Sequence, residues 1–188
     1  MANSKYKDWI SANAELAKSV TESTGIFPEI MLAQAIIESA KNGVMPGTLL
    51  SKKYNNYFGI KAGPKWKGKT VNIETGEYED GKLVTDYKSF FRVYGSPVDS
   101  FRDYVNFLQA NKRYTKALQA KTPEAQAIEL QRAGYSTNPE YSKTISAMGN
   151  VIRKFLGAVE TVAKNNPVPL FVAGAFLLYV LNSSNGKQ

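Results

Sequence analysis

Apolar residues along much of the chain recur at helical spacing. Tyr6, Trp9, Ala12/Asn13, Leu16 and Val20 predict a first helix over residues 5–23, ended by Gly25. A second is predicted over residues 28–42, with Pro28 suited to its first turn and Asn42-Gly43 to a C-terminal cap. Its segment from Ile30 to Ile37 is apolar nearly all round, the pattern of a helix buried on most sides. Gln34 and Glu38, four residues apart, share one of its faces. Between residues 43 and 95 the periodicity disappears, and Gly, Pro, Asn, Lys and aromatics dominate. Two short alternating runs, Thr70 to Ile73 and Lys82 to Tyr87, flank the hairpin-type turn signal Glu79-Asp80-Gly81. Helical spacing resumes at Pro97, where Val98, Phe101, Val105 and Leu108 lie along one face. Thr122-Pro123 opens another helix, closed by Gly134, and Pro139 opens one carrying Tyr141, Ile145, Met148, Ile152 and Phe155. The pattern predicts an α+β, mainly α protein in which a small β-hairpin lobe is inserted between helices.

The C-terminal end differs. No residue from Asn165 to Gly186 is charged, and Val168 to Leu181 is a continuous apolar stretch. As a helix that stretch spans about 21 Å, short of the roughly 30 Å hydrocarbon core, although its uncharged flanks lengthen it. A marginal membrane helix is the first reading, and a buried or partner-docking helix the second. The expected organisation is a folded domain over residues 1–160 and a hydrophobic tail over 161–188. No apolar run follows Met1 to Lys5, so the N-terminus does not read as a signal peptide.

Composition narrows the chemistry. The 188 residues include no His and no Cys. That excludes Ser-His-Asp and Cys-His nucleophilic catalysis, zinc sites built on those ligands, and disulfides. Acid–base work falls to carboxylates, and Glu38 is the best candidate. It ends a strongly apolar helix, where burial and the negative end of the helix dipole both favour a protonated carboxyl. An ordinary surface Glu on an amphipathic helix has the same spacing. Two-carboxylate glycoside chemistry needs a partner, and the hairpin offers Glu74, Glu77, Glu79 and Asp80. The net charge of +8 points to a polyanionic partner. Residues 41–70 hold seven Lys, no acidic residue, and Tyr54, Tyr57, Phe58 and Trp66. Such a mixture suits a nucleic-acid surface, a saccharide groove or a solvated basic loop.

The segment Leu32-Ala33-Gln34-Ala35-Ile36-Ile37-Glu38-Ser39, followed by Asn55-Asn56-Tyr57-Phe58-Gly59-Ile60-Lys61, resembles the bacterial cell-wall β-N-acetylglucosaminidases of glycoside hydrolase family 73. Further matches follow in order: Trp66-Lys67-Gly68, Thr75-Gly76-Glu77-Tyr78, Phe91-Arg92-Val93-Tyr94, Ser100 to Tyr104, Arg113-Tyr114, and Ala133 to Pro139. The resemblance covers about residues 20–155. It implies a lysozyme-like helical lobe and a small β-lobe with a cleft between them. It also implies endo-β-N-acetylglucosaminidase activity on peptidoglycan glycan strands. Glu38 matches the catalytic general acid, Glu77 the second carboxylate, and Tyr135 a tyrosine of the cleft. Gln34, Asn56, Tyr57, Phe58 and Trp66 fall in segments that shape the sugar subsites. Asn138 stands where many members carry Asp. No metal, cofactor or nucleic-acid partner is implied. With such an activity, the apolar tail points to a phage or virion-associated lytic enzyme in contact with a membrane through residues 165–186. A membrane-associated enzyme of the bacterial envelope is the alternative, and a muramidase, a lytic transglycosylase and a non-catalytic wall-binding or virion structural protein also share the architecture.

Overall fold

The computed structural model describes residues 6–79 and 82–165, and only the backbone for 75–88 and for 165 within those limits. Two helices begin the fold, α1 (Lys7–Thr21) and α2 (Pro28–Ser39), packed on each other. In α1 the buried stripe is Ile10, Ala14, Ala17 and Thr21, one position away from the predicted Trp9–Leu16–Val20 stripe, which is half-buried beside it. Small side chains at 14 and 17 let a neighbouring helix approach, while the bulky Trp9 turns to stack on Tyr57 at 6.0 Å. The second helix is the centre of the core, with Ile30, Met31, Leu32, Ala33, Ala35 and Ile36 at 0–2% exposure. Each of its large side chains contributes roughly 1.5–3 kcal/mol by leaving water.

α2 stops at Ser39, short of the expected Asn42. Asn42 (φ 53°) and Gly43 (φ 76°) instead form a tight two-residue turn that pairs Lys41 with Val44. A short helix that periodicity does not reveal, α3 (Leu49–Tyr54), follows; six residues are too few to show a helical period. Its first turn is capped by the Thr48 side chain, which accepts from the Ser51 amide.

The hairpin is present and longer than expected. β1 (Thr70–Glu79) and β2 (Lys82–Arg92) pair antiparallel, from Thr70 opposite Arg92 to Glu79 opposite Lys82, with a bulge between Thr75 and Glu77. Its root is tied to the helices. Ile60 and Ala62 pair with the end of β2, and the buried Asn56 side chain bonds Ile60 and the Arg92 carbonyl. Arg92 meets Asp103 at 2.7 Å, and the same carboxylate accepts from the Tyr94 hydroxyl at 2.6 Å.

The rest is helical. α4 (Pro97–Ala110) is followed by a 3₁₀ turn (Lys112–Tyr114), α5 (Thr115–Leu118), α6 (Pro123–Arg132) and α7 (Tyr141–Asn165). α4 and α6 open at Pro97 and Pro123 as the sequence predicts, capped by the Ser96 and Thr122 side chains. α1 stops at Thr21 rather than at residue 23, and Gly25 stands in the turn beyond it: at φ 80° a Cβ there would be 2.1 Å from the Leu118 carbonyl oxygen. Buried Gln126 fixes this approach, donating to the Gly25 and Ala117 carbonyls and accepting from the Phe27 amide. The chain divides into two compact units, residues 1–153 and 154–188. The expected apolar helix of the tail lies outside the described residues. Among the described residues, no helix is long and apolar enough to cross a membrane.

Candidate active site

Glu38 occupies the last turn of α2, where helix carbonyls lack intrahelical partners. The following loop supplies them: Gly47 and Thr48 amides donate to the Ser39 carbonyl at 2.8 and 2.9 Å, and the Ser51 hydroxyl adds a third bond. The Ser39 hydroxyl in turn donates to the Tyr57 carbonyl at 2.7 Å, fastening the end of α2 to the segment that faces it. The backbone carrying Glu38 is thereby held from both sides.

The half-buried Glu38 lines a cleft of about 590 Å³. One wall is Phe58 to Lys61 with Phe91; another is Arg113, Tyr114 and the stretch Gly134 to Asn138. Gly59 has φ 62°, and a Cβ there would lie 3.6 Å from a Glu38 carboxylate oxygen. The wall therefore passes the acid as bare backbone, which leaves room for a ligand beside it.

Behind Glu38 is a buried relay of hydrogen bonds. The Tyr104 hydroxyl donates to the Gln34 side-chain oxygen. The Gln34 amide donates to the Tyr141 hydroxyl oxygen at 2.9 Å, which leaves that hydroxyl's proton for its bond to Glu38. Tyr135 stacks on Tyr141 at 5.9 Å and donates to the Phe58 carbonyl at 3.1 Å. Burial pushes the Tyr104, Tyr135 and Tyr141 phenols well above 10.0, and the negative charge on Glu38 raises each further. All three are neutral donors near neutral pH. The set can hold a carboxyl in one orientation and offer it to a bound oxygen.

The residues expected at the site separate into four groups. Glu38, Phe58 and Tyr135 are in the cleft lining. Gln34, Asn56 and Tyr57, expected to touch sugar, are 0%, 1% and 5% exposed. They lie behind the cleft lining rather than in it. Gln34 holds Tyr141, Asn56 fastens the root of the hairpin, and Tyr57 packs between Trp9 and Phe101. Trp66 is half-exposed but outside the lining; its ring lies 4.7 Å from the Arg92 guanidinium and its indole donates to the Lys69 carbonyl. Glu77 falls on β1 opposite Val84, just past the bulge, and its side chain is outside what the structure describes. Spacing did not single out Tyr104, Tyr141 or Arg113. Tyr141 reads as an apolar-face helix residue and Tyr104 only as part of a family segment, and their bonds to Gln34 join positions 107 and 70 residues away.

Known proteins share this architecture. Peptidoglycan hydrolase FlgJ of Pseudomonas aeruginosa is 36% identical over 149 residues, 79% of this chain and 37% of that protein. Exo-glucosaminidase LytG of Bacillus subtilis is 34% identical over 148 residues, 76% of this chain and 49% of that protein. The chain thus spans less than half the length of either. A crystal structure of a peptidoglycan hydrolase mutant from Sphingomonas sp. A1 superposes with a TM-score of 0.70 at 30% identity, covering 81% of this chain and 99% of that one. The glycoside hydrolase domain of Salmonella typhimurium FlgJ, truncated at its C-terminus, gives 0.61 at 35% identity, over 79% and 97%. The fold is that of the lysozyme-like glycoside hydrolase domains. The glucosaminidase family model, described as mannosyl-glycoprotein endo-beta-N-acetylglucosaminidase, matches residues 14–154, and the chain belongs to that family.

Proposed function

We propose that the protein hydrolyses the glycan strands of peptidoglycan as an endo-β-N-acetylglucosaminidase. The observation that carries this reading is the placement of Glu38: a half-buried carboxyl opening on the cleft, oriented by the Tyr141 hydroxyl, in a member of the glucosaminidase family. Glu38 acts as general acid and gives its proton to the glycosidic oxygen as the bond breaks. The oxocarbenium-like sugar left behind needs a negative charge or a nucleophile on its other face. Glu77 supplies the carboxylate, activating water or orienting the substrate's own acetamido oxygen. In its support, Glu77 follows a bulge in β1, a device that re-aims side chains next to active sites.

The test is direct. Glu38→Gln is expected to abolish clearing of purified cell walls while the circular dichroism of the fold is unchanged; full clearing overturns the assignment. Mass spectrometry of the fragments is expected to show N-acetylglucosamine reducing ends. Muramic reducing ends would make the enzyme a muramidase, and anhydro-muramic ends a lytic transglycosylase.

The uncharged apolar segment between Asn165 and Gly186 supports membrane contact, and with it a phage or virion-associated lytic role. Deleting residues 165–188 is expected to release the protein from sedimenting vesicles. Full-length protein that does not sediment with them overturns that part of the reading.

A further inference from the structure

We propose that Arg113 forms an anion subsite in the cleft, which takes a carboxylate borne by the substrate glycan. The proposal rests on the glycan-hydrolase reading above and names the feature of the strand that the cleft reads besides its sugars.

Charge is sparse in the cleft lining, where the described charged residues are Glu38, Lys61 and Arg113. A neutral N-acetylated sugar is satisfied by hydroxyl, amide and aromatic contacts and has no need of a guanidinium. Arg113 is nonetheless held in a defined pose. Its Nη2 donates to the Tyr114 hydroxyl at 2.7 Å, and the guanidinium carbon lies 4.7 Å from the centre of the Tyr114 ring. Tyr114 is 1% exposed and packs on Phe107 and Tyr135, so the platform beneath the cation is rigid. A Cβ on Gly134 would be 4.0 Å from Nη1, so the other branch of the fork runs beside bare backbone in the cleft wall.

Of the other cationic forks, Arg102 lies outside the cleft lining and three have carboxylates opposite them. Arg92, Arg132 and Arg153 face Asp103, Glu129 and Glu124. Among the described residues no carboxylate pairs with Arg113. Four of its five N–H donors are uncommitted to Tyr114, enough for a bidentate bond to a planar carboxylate. Orienting the fork in advance lowers the entropy lost on binding. On a peptidoglycan strand such a group is available from two sources: a free lactyl carboxylate on the muramic unit, or the carboxylates of the peptide built on it.

The test reads binding without turnover. The full-length Glu38→Gln protein is titrated calorimetrically with three glycans: a peptide-bearing strand, the same strand freed of peptide so that its lactyl carboxylates are exposed, and an N-acetylglucosamine oligomer with no carboxylate. Adding Arg113→Gln is expected to weaken carboxylate-bearing ligands about tenfold, or roughly 1.4 kcal/mol. The neutral oligomer should be unaffected. Arg113→Lys should recover part of the loss, and salt should erase the advantage. Loss confined to the peptide-bearing strand assigns the peptide carboxylates; loss on the stripped strand assigns the lactyl group. Equal loss on the neutral oligomer, no loss on any ligand, or no binding to any of the three overturns the proposal. Binding without hydrolysis by the unmodified enzyme sinks the hydrolase reading alone.

Discussion

Gln34→Leu isolates the buried relay behind Glu38. Gln34 is fully buried, and its amide serves two phenols at once, accepting from Tyr104 and donating to Tyr141. Leu fills most of the space and offers neither group. Tyr104 is then left with a buried hydroxyl that has lost its acceptor, a penalty of about 1–3 kcal/mol. Tyr141 keeps its bond to Glu38 and loses only one of two, nearer 1 kcal/mol. The sum is about 2–4 kcal/mol, a large part of the roughly 5–15 kcal/mol that holds a domain together. At roughly 2–4 °C per kcal/mol for a chain of this size, Tm should fall by roughly 5–15 °C. Adding Tyr104→Phe removes the orphaned hydroxyl, because replacing both partners of a buried hydrogen bond by apolar groups is close to neutral. The double variant should therefore be more stable than Gln34→Leu by about 1–3 kcal/mol. Urea and thermal unfolding followed by circular dichroism give both values. A double variant no more stable than the single, or a Gln34→Leu cost within about 0.5 kcal/mol of zero, refutes the reasoning.

Three further outcomes follow from the same geometry. Tyr141→Phe removes the hydroxyl that links Gln34 to Glu38; kcat on purified walls should fall about tenfold or more with a small change in KM, since the loss is in orienting the acid. At high pH the buried phenols turn against the fold. Their native pKa values lie above the unfolded 10.0, so stability is complete below pH 10, where both states are protonated, and falls as pH rises and only the unfolded phenols ionise. Tyr104, Tyr135 and Tyr141 all act in this direction, so the urea midpoint should fall as pH rises above 10, in step with phenolate absorbance. Gly25→Ala combines positive φ with a 2.1 Å clash against the Leu118 carbonyl oxygen, so it should cost well over 1 kcal/mol and lower the urea midpoint, whereas Gly63→Ala, which meets nothing within 4 Å, should leave it nearly unchanged.

The helices were legible where local chemistry fixed them. Pro28, Pro97 and Pro123 stand in first turns, and Thr122 caps, because these residues act on the backbone next to them. The errors arose where a signal has two local meanings. Asn42-Gly43 satisfies a helix C-cap and a two-residue turn equally, and only the pairing of Lys41 with Val44 decides. The apolar stripe of α1 was displaced by one position because hydrophobicity favours Trp9 and Leu16, whereas close helix packing favours Ala14 and Ala17. The strands ran past Tyr87 because the root of the hairpin pairs with Ile60 and Ala62, a contact no alternating run contains.

At the site, the family motif located the segments but not the direction of each side chain. Tyr57 and Phe58 are neighbours, yet one packs against Trp9 and Phe101 and the other reaches the cleft and stacks on Tyr104 at 4.2 Å. Gln34 shares a helix face with Glu38, which makes a shared substrate role look natural. One turn earlier on that face, however, the helix is already inside the core. There an amide without partners would be costly, so its presence demands the two phenols that meet it. Gln34 belongs to the motif because a carboxyl aimed into a cleft has to be aimed by something, and among apolar neighbours a buried amide bonded on both sides can fix a tyrosine hydroxyl beneath it. Tyr104 and Tyr141 complete that support from α4 and α7, so the orientation of Glu38 depends on two helices closing on α2 in the right register. The acid is visible in ten residues of sequence; its orientation is a property of the assembled core.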